Sequence, residues 1–225
     1  MLLWLLACAD PPEPVESADP GPLRGAESFA FPLAEPDKFE QVVGVDHDPE
    51  VHEGIEQLIC LDYLGRAFPW CYDEHDGSDY LLEGNWDAMD AGSVVILAAA
   101  DGVVVDTADG NYDRCHGDIS SGGNSCDGHP MQANYVIIEH ASGNRSRYWH
   151  MMSGSVMVEV GQTVHCGDPL GKVGSSGNSS QPHLHFEVES PEGEVIDPYA
   201  GPYSQPETWW LEQGDPEGMP GAACP

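Results

Sequence analysis

Two histidines, His183 and His185, stand two residues apart in the run PHLHFEVES near the C-terminal end of the chain. In a β-strand, residues i and i+2 face the same side and lie about 6.5–7 Å apart. We therefore expect this HxH pair to share one face of a strand with Glu187, while the apolar residues between them face the core. Imidazole nitrogens bind metals and exchange protons near neutral pH. One histidine could bind a metal ion while the other handles a water molecule or an oxyanion beside it.

A second motif combines an imidazole with a carboxylate. His75 and Asp79 stand in the stretch CYDEHDGSDYLL, and Gly77 and Gly84 nearby permit a tight loop. Both ligand types suit zinc, and three protein ligands with one open position define a catalytic zinc site. His75, Asp79 and one histidine of the HxH pair would complete that set. We expect no regular strand within CYDEHDGSD.

A further histidine, His150, follows two aromatic residues in the run SRYWHMMSG and precedes a turn. A histidine alone in such a position is more often structural than functional. The presence of the two motifs above favours the functional interpretation. We therefore include His150 among the candidate site residues.

The elements that must position these residues are short β-strands. From about residue 94 the chain consists of β-rich runs separated by glycine turns, among them SVVILAAADGVVVDTA and ANYVIIEHASG. The 26 glycines and 19 prolines indicate many turns and few long helices. The sequence predicts an all-β fold, a compact antiparallel β-sheet or sandwich domain with long loops. No pattern in it favours a parallel α/β sheet.

The charge balance excludes one class of partner. The chain has 39 acidic and 7 basic side chains, which gives a formal net charge of −32. Phosphate contacts require clustered lysines and arginines, so the composition argues against nucleic-acid binding. Such acidity is typical of a strongly solvated surface.

The N-terminal residues indicate export. Residues 1–8, MLLWLLAC, form a short apolar run that ends like a bacterial lipobox, in which Cys8 would be lipidated and would anchor the protein to a membrane. No lysine or arginine precedes the run, and a trimmed ordinary signal peptide is the alternative. Residues 9–27 are rich in proline and acids and should form a disordered tether. We assign residues 28–225 to a single domain with its core at 70–198.

Seven cysteines are present, and six remain if Cys8 is lipidated. An even number in an exported protein favours disulfides over zinc thiolates, and the chain contains no CxxC pair. The expected pairs are Cys60–Cys71, Cys115–Cys126 and Cys166–Cys224. The two short pairs would each close a loop of about 12 residues, worth about 2.8 kcal/mol on the chain-entropy model. The first of them would tie the stretch that carries His75 to the preceding segment.

The three histidine motifs together resemble those of the lysostaphin-type, or LytM-type, zinc metallopeptidases, which cut peptide bonds in bacterial cell walls. The family pattern is HxxxD, then a strand with a lone histidine after an aromatic residue, then HLHFE. Here these motifs are His75–Asp79, RYWH ending at His150, and PHLHFEV. The resemblance covers about residues 70–198 and implies a β fold of the duplicated-hybrid-motif type, with a groove across the sheet.

Carried over position by position, the resemblance implies one zinc ion per chain, with His75, Asp79 and His185 as its ligands. It makes His150 and His183 the pair that orients the attacking water and stabilises the tetrahedral intermediate.

The chain departs from the family pattern in two places. Extra residues follow Asp79, and a gapless register would put Glu83 and Asp87 at the ligand positions instead. We reject that register because it replaces an imidazole by a carboxylate while an intact HDGSD stands just upstream. The second departure is an insertion at residues 113–128, which we expect to border the groove and to shape substrate choice.

The resemblance implies a zinc-dependent endopeptidase that hydrolyses the peptide crosslinks of bacterial peptidoglycan, so that peptidoglycan peptide stems are its partner. We expect an exported protein, a periplasmic or cell-surface lipoprotein or alternatively a secreted one. The alternative function is that of a catalytically inactive relative that binds wall peptides or activates a separate amidase. All five site residues are present, which favours the enzyme. A protease of other proteins or of competitors' walls would share the same chemistry.

Overall fold

In the computed structural model of this protein, residues 28–52, 58–118, 123–216 and 218–225 are described. The signal-like segment 1–8 with Cys8 and the tether 9–27 lie outside these ranges, so our expectations for them stay predictions. In chain order, the strands are β1 Phe39–Val43, β2 Ser78–Leu82, β3 Val95–Leu97, β4 Gly102–Ala108, β5 His116–Asp118, β6 Gly123–Ser125, β7 Tyr135–Glu139, β8 Arg145–Trp149, β9 Thr163–Val164, β10 Pro169–Lys172 and β11 His183–Glu189.

The helical elements of the described ranges are short: a 3-10 turn at Pro36–Lys38 and helix α1 at Asn85–Asp90. No helix in these parts of the chain is long and apolar enough to cross a bilayer. The prediction of many turns and few helices is confirmed.

Seven of the strands form one antiparallel sheet in the order β1-β2-β11-β8-β7-β4-β9. β3 pairs with β10 and β5 pairs with β6, each pair forming a separate antiparallel sheet. The predicted all-β antiparallel fold is confirmed. β11, which carries the HxH pair, lies between β2 and β8, inside the sheet and not at its edge.

The apolar core packs against one face of the large sheet. Leu184, Phe186 and Val188 of β11 are almost fully buried, as are Tyr148 of β8 and Ile138 of β7. Burying one large apolar side chain contributes about 1.5–3 kcal/mol. A one-residue slip in strand pairing would move all the apolar side chains of that strand to the solvent face. The alternating pattern therefore fixes the register that places the HxH pair on the opposite face.

Residues near both ends of the described chain pack on the same core. Phe29 forms a parallel bridge with Trp210. The Phe29 ring lies 6.0 Å from that of Phe186 and 6.4 Å from that of Trp210, measured between centroids. The segments before and after the strand-rich region thus share one hydrophobic cluster.

All three predicted disulfides are present, Cys60–Cys71, Cys115–Cys126 and Cys166–Cys224. The first precedes the loop that carries His75, the second closes the β5–β6 hairpin, and the third joins the C-terminal tail to the turn after β9.

Candidate metal centre and active site

Strand register brings the candidate residues together. β11 pairs with β2 so that His185 lies opposite Asp79, and it pairs with β8 so that His185 lies opposite Trp149. His150 directly follows Trp149. Asp79 is the second residue of β2, so our expectation that CYDEHDGSD contains no regular strand is wrong at its end. The physical reason is that Ser78 and Asp79 gain backbone partners from β11, an element far away in the sequence.

Three donor atoms converge at one point. His75 Nε2 lies 3.3 Å from Asp79 Oδ1 and 3.2 Å from His185 Nδ1, and His185 Nδ1 lies 2.8 Å from Asp79 Oδ1. Zinc bonds of about 2.0–2.1 Å in a tetrahedron would separate ligand atoms by about 3.3 Å. All three side chains are buried. The donor types, their spacing and their burial fit a zinc ion.

His75 is held from behind by the segment that follows β1. Its Nδ1 lies 2.7 Å from the Gly44 carbonyl oxygen. A carbonyl oxygen only accepts, so Nδ1 carries the hydrogen and Nε2 presents its lone pair to the other donors. The Asp46 N–H donates to the His75 carbonyl at 2.8 Å. The Asp46 carboxylate accepts the N–H groups of Leu61 and Glu74, which joins three segments behind the ligand loop.

Two further residues shape the ligand loop. A Cβ atom at Gly77 would lie 2.7 Å from the His185 ring, so only glycine fits there. The Tyr72 ring stacks on the His75 ring with centroids 4.2 Å apart. Burial and the nearby Asp79 raise the pKa of the Tyr72 hydroxyl, which keeps it a neutral hydrogen-bond donor beside the centre.

His183 faces the same centre from a different angle. Its Nδ1 lies 2.7 Å from the Gln181 carbonyl oxygen and 3.2 Å from Ser179 Oγ. The carbonyl partner places a hydrogen on Nδ1, and Nε2 lies 3.4 Å from Asp79 Oδ1. His183 lies outside the group of close ligand atoms that His75, Asp79 and His185 form.

His150 lies beside His183, with ring centroids 4.6 Å apart. Its Nδ1 lies 2.7 Å from the Ser176 carbonyl oxygen, so this ring also carries its hydrogen on Nδ1. The backbone at His150 has φ +66°, a left-handed conformation that costs a non-glycine residue energy. Asn134 holds this turn, because its carbonyl accepts the Met151 N–H and its side-chain amide donates to the Met151 carbonyl.

The charges in the site act differently on Asp79 and His150. Burial opposes ionisation of Asp79, but the neighbouring His75 and His183 hold the pKa of its carboxyl well below the ordinary value. Burial, followed by His183 and His185, holds the pKa of His150 well below its ordinary value. Asp79 is therefore a carboxylate, and His150 is a neutral imidazole that can accept a proton.

His185 is subject to opposing influences. Burial lowers the pKa of its imidazole, yet its hydrogen bonds to Asp76 and Asp79 raise that pKa to about 10. Only a neutral imidazole binds a metal ion, so metal binding at this position should release a proton. Asp76 Oδ1 lies 3.3 Å from Nε2 and would orient the ring from its outer side.

A groove of about 270 Å³ opens beside the centre. Asp76, His185 and Glu187 form a second group of close ligand atoms there, and it shares His185 with the first. Glu187 was expected on this face, whereas Asp76 was not identified from the sequence. The lining residues are Tyr72, Asp76, Arg147, Trp149, His150, Asn178, His185 and Glu187.

Two other expectations concern residues around the site. Glu83 follows β2 and Asp87 lies in α1, both exposed and outside the groups of close ligand atoms. The inserted hairpin reaches the groove, because the Asn124 side-chain amide donates to Asn178 Oδ1 at 2.8 Å. Its expected effect on substrate choice stays a prediction.

No sequence pattern indicated the residues that hold the histidines from behind. Gly44, Ser176 and Gln181 act through backbone carbonyls, which every residue type has, so no pattern of side chains marks them. The polar run SSGNSSQ before the HxH pair was the one available signal, because seven consecutive polar or small residues precede a buried strand.

A family model described as peptidase family M23 matches residues 75–198. The match covers more than half of the chain and contains all five candidate site residues. The chain belongs to this family.

Three relatives share parts of the sequence. Peptidoglycan DD-endopeptidase ShyB of Vibrio cholerae is 42% identical over 60 residues, which are 27% of this chain and 14% of ShyB. Peptidoglycan DD-endopeptidase ShyA of the same organism is 32% identical over 114 residues, 51% of this chain and 20% of ShyA. Murein hydrolase activator EnvC of Escherichia coli is 38% identical over 63 residues, 28% of this chain and 14% of EnvC. The aligned parts therefore span at most a fifth of these relatives.

Proposed function

We propose that the protein is a zinc-dependent metalloendopeptidase that hydrolyses the peptide crosslinks of bacterial peptidoglycan. The observation that carries this proposal is the convergence of buried donor atoms from His75, Asp79 and His185 beside two histidines that both carry their hydrogen on Nδ1. Membership of peptidase family M23 supports the reaction class. The names of the relatives support peptidoglycan as the substrate.

His75, Asp79 and His185 would hold one zinc ion. When bound, zinc polarises the scissile carbonyl group and lowers the pKa of the water molecule that it binds. The protein contributes the geometry, because the Gly44 carbonyl fixes the His75 ring and strand pairing fixes the other two ligands. Such partners behind the ligands keep a metal site in one arrangement.

His150 and His183 would handle protons and charge. Each ring donates its Nδ1–H to a carbonyl, so each Nε2 can accept a proton from the attacking water and return it to the leaving amine. In its protonated state the same nitrogen can donate to the charge that develops on the carbonyl oxygen. The depressed pKa of His150 keeps that ring neutral, so its Nε2 carries no proton of its own.

Export is part of the proposal. Three disulfides fit an oxidising compartment outside the cytoplasm, where peptidoglycan also lies. A lipid on Cys8 would attach the protein to a membrane, and the tether at residues 9–27 would let the domain reach the wall. Mass spectrometry of the mature N-terminus would show whether Cys8 carries the lipid.

The direct test of function is digestion of purified peptidoglycan, followed by mass spectrometry of the muropeptides. The zinc-loaded protein should convert crosslinked peptides into uncrosslinked ones and leave the glycan bonds intact. His75→Ala should abolish that conversion. Glu83→Ala is the matched control, since the rejected register would make Glu83 a ligand, and it should keep full activity. Absence of cleavage by the zinc-loaded wild type would contradict the proposal.

A second candidate function is activation of a separate wall amidase without catalysis. The similarity to EnvC, which is named as a murein hydrolase activator, favours this candidate. The two functions differ in the muropeptide assay. A non-catalytic activator, added without an amidase, would leave the crosslinks intact. It would increase cleavage by an added amidase, and its His150→Ala variant would increase that cleavage to the same extent.

A further inference from the structure

The inserted hairpin β5–β6 packs along the segment that precedes the HxH pair. The Cys115 N–H donates to the Ser175 carbonyl at 2.9 Å. The Gly117 N–H donates to the Ser180 carbonyl, also at 2.9 Å. The disulfide of Cys115 closes the hairpin. The hairpin is therefore joined to this segment by backbone hydrogen bonds, in the manner of an added strand.

A chain of hydrogen-bonding groups leads from the hairpin to His183. The Ser175 hydroxyl donates to the Cys115 carbonyl at 2.7 Å, and Ser175 Oγ lies 2.7 Å from Ser179 Oγ. Ser179 Oγ lies 2.9 Å from the Gln181 carbonyl oxygen and 3.2 Å from His183 Nδ1. Both hydroxyls and the imidazole are at most 4% exposed. A buried group that loses such a partner keeps the cost of its desolvation, because water does not replace the bond.

The same segment holds His150. The Ser176 carbonyl accepts from His150 Nδ1, and the Ser176 hydroxyl donates to the Met151 carbonyl at 2.8 Å. Cys126 Sγ lies 3.4 Å from the Gly177 carbonyl oxygen. The two halves of the disulfide thus contact the residues on either side of Ser176, one through the Cys115 backbone and one through the Cys126 sulfur.

The candidate metal ligands have other supports. His75 is held by Gly44 and Asp46, on the segment after β1. Asp79 and His185 lie in the paired strands β2 and β11. A change in the hairpin should therefore reach the two proton-handling histidines before it reaches the metal centre.

We propose that Ser175 and Ser179 are positioning residues for His183, and that the disulfide of the β5–β6 hairpin keeps them in place. This inference rests on the proposed function, because it concerns the role of His183 in turnover. A ring that transfers a proton must stay close to the reacting atoms, and a displacement of about 1 Å can lower a rate by about a hundredfold. The inserted hairpin then serves the reaction itself, in addition to bordering the groove.

The first test compares Ser179→Ala with Ser180→Ala in the zinc-loaded protein. Ser180 is the next residue and is exposed, so its variant controls for a hydroxyl lost nearby. Ser179→Ala should lower kcat for crosslinked muropeptides about tenfold or more, with KM within about twofold and one zinc per chain retained. Ser180→Ala should match the wild type. Equal kcat in the two variants, or zinc lost in proportion to activity, would overturn the inference.

A second test removes the crosslink. The double variant Cys115→Ser, Cys126→Ser should show the same fall in kcat with zinc retained. The double variant Cys166→Ser, Cys224→Ser controls for the general loss of a disulfide and should keep kcat at a temperature where it is folded. A folded hairpin variant with wild-type kcat would overturn the part assigned to the disulfide.

A third measurement separates this inference from the proposed function. Ring ¹⁵N signals of the histidines in the zinc-loaded protein report the state of each imidazole without any substrate. In Ser179→Ala the signals of His183 should shift or broaden, whereas those of His75 should not. Unchanged His183 signals in Ser179→Ala would overturn the inference. Shifted signals in that variant, together with absence of cleavage by the zinc-loaded wild type, would count against the proposed function alone.

Discussion

His183 and His185 lie on the same face of β11, yet their ring nitrogens meet different partners. His185 turns Nδ1 toward Asp79 and His75, where the three donor atoms converge. His183 turns Nδ1 toward the Gln181 carbonyl and away from that point. On the proposed function, His185 would serve as a metal ligand and His183 would exchange a proton beside the ligands.

The first prediction follows from this difference. His185→Ala should lose zinc and activity together, because it removes one of three ligands. His183→Ala should keep about one zinc per chain and lose turnover by about 10²–10⁴-fold, the range expected for a group in acid–base catalysis. Metal content by mass spectrometry and kcat measured on the same samples provide the check. An equal loss of zinc in both variants would show that the assigned division of roles is wrong.

At the scale of residues, the sequence indicated the side chains that face the centre but not their supports. His75, Asp79, His150, His183 and His185 stand in short motifs whose residue types suggest metal and proton chemistry. The supports act through carbonyls and N–H groups that belong to distant segments. Only the three-dimensional path of the chain reveals such partners, since the backbone is the same for every residue type.

At the scale of elements, the loop that carries His75 depends on its connection to the segment before it. Cys71 stands four positions before His75, and its disulfide partner Cys60 precedes Leu61. The Leu61 N–H binds the same Asp46 carboxylate that accepts the Glu74 N–H. The crosslink and the carboxylate therefore hold the same two segments together behind the candidate ligand His75.

The second prediction is that Cys60→Ser with Cys71→Ser weakens zinc affinity before the sheet unfolds. The ligand loop would gain freedom while β2 and β11 stay paired. Zinc titration of the variant should give a weaker affinity at a temperature where its far-ultraviolet circular dichroism equals that of the wild type. Asp46→Asn should act in the same direction. Wild-type zinc affinity in the folded cysteine variant would contradict this account of the loop.

The third prediction concerns the buried histidine that follows β7. His140 Nδ1 lies 2.8 Å from the Asp101 carbonyl oxygen, and its Nε2 lies 2.9 Å from Ser146 Oγ. Burial lowers the pKa of His140 in the folded protein below its ordinary value of about 6.5. Between the folded pKa and about pH 6.5, the unfolded chain therefore binds more protons than the folded protein. The stability that His140 contributes above about pH 6.5 is lost as the pH falls through the folded pKa.

Thermal unfolding measured between pH 8 and pH 5 provides the check. The melting temperature should fall as the pH decreases below about 6.5, and the fall should be smaller in His140→Gln. His165→Gln is the matched control, because the His165 side chain is 41% exposed. An identical pH dependence in wild type and His140→Gln would show that His140 does not cause the effect.

The strands that could be predicted are those with their own hydrophobic pattern. The runs after residue 94 alternate or are continuously apolar, and the structure forms β3, β4, β7 and β11 within them. β1 and β2 were not predicted, because FEQVV and SDYLL are short and mixed in character. Their strand structure depends on pairing with each other and with β11, a non-local interaction that a sequence window does not contain.

At the scale of the whole molecule, the C-terminal tail is part of the domain. Trp210 is 2% exposed and packs against Phe29 and Phe186. Cys224 is bonded to Cys166 across 58 positions of sequence. The chain-entropy model assigns about 4 kcal/mol to closing a loop of that size. The tail therefore contributes to the stability of the domain.

The fourth prediction is that Cys166→Ser with Cys224→Ser lowers the melting temperature and leaves zinc affinity close to that of the wild type. The Cys60→Ser, Cys71→Ser variant should mainly weaken zinc affinity, because its crosslink lies beside the ligand loop. Differential scanning calorimetry and zinc titration of both variants provide the comparison. Equal effects of the two variants on zinc affinity would contradict the separation of these tasks.

The measurement that tests the central claim most directly is the rate of crosslink cleavage as zinc is returned to the metal-stripped protein. The close donor atoms of His75, Asp79 and His185 could hold one metal ion. If they are the zinc ligands, cleavage should be absent without zinc and should rise until one zinc per chain has been added. Further zinc should give no increase. Full cleavage by the metal-free protein, or no cleavage at one bound zinc per chain, would contradict the account.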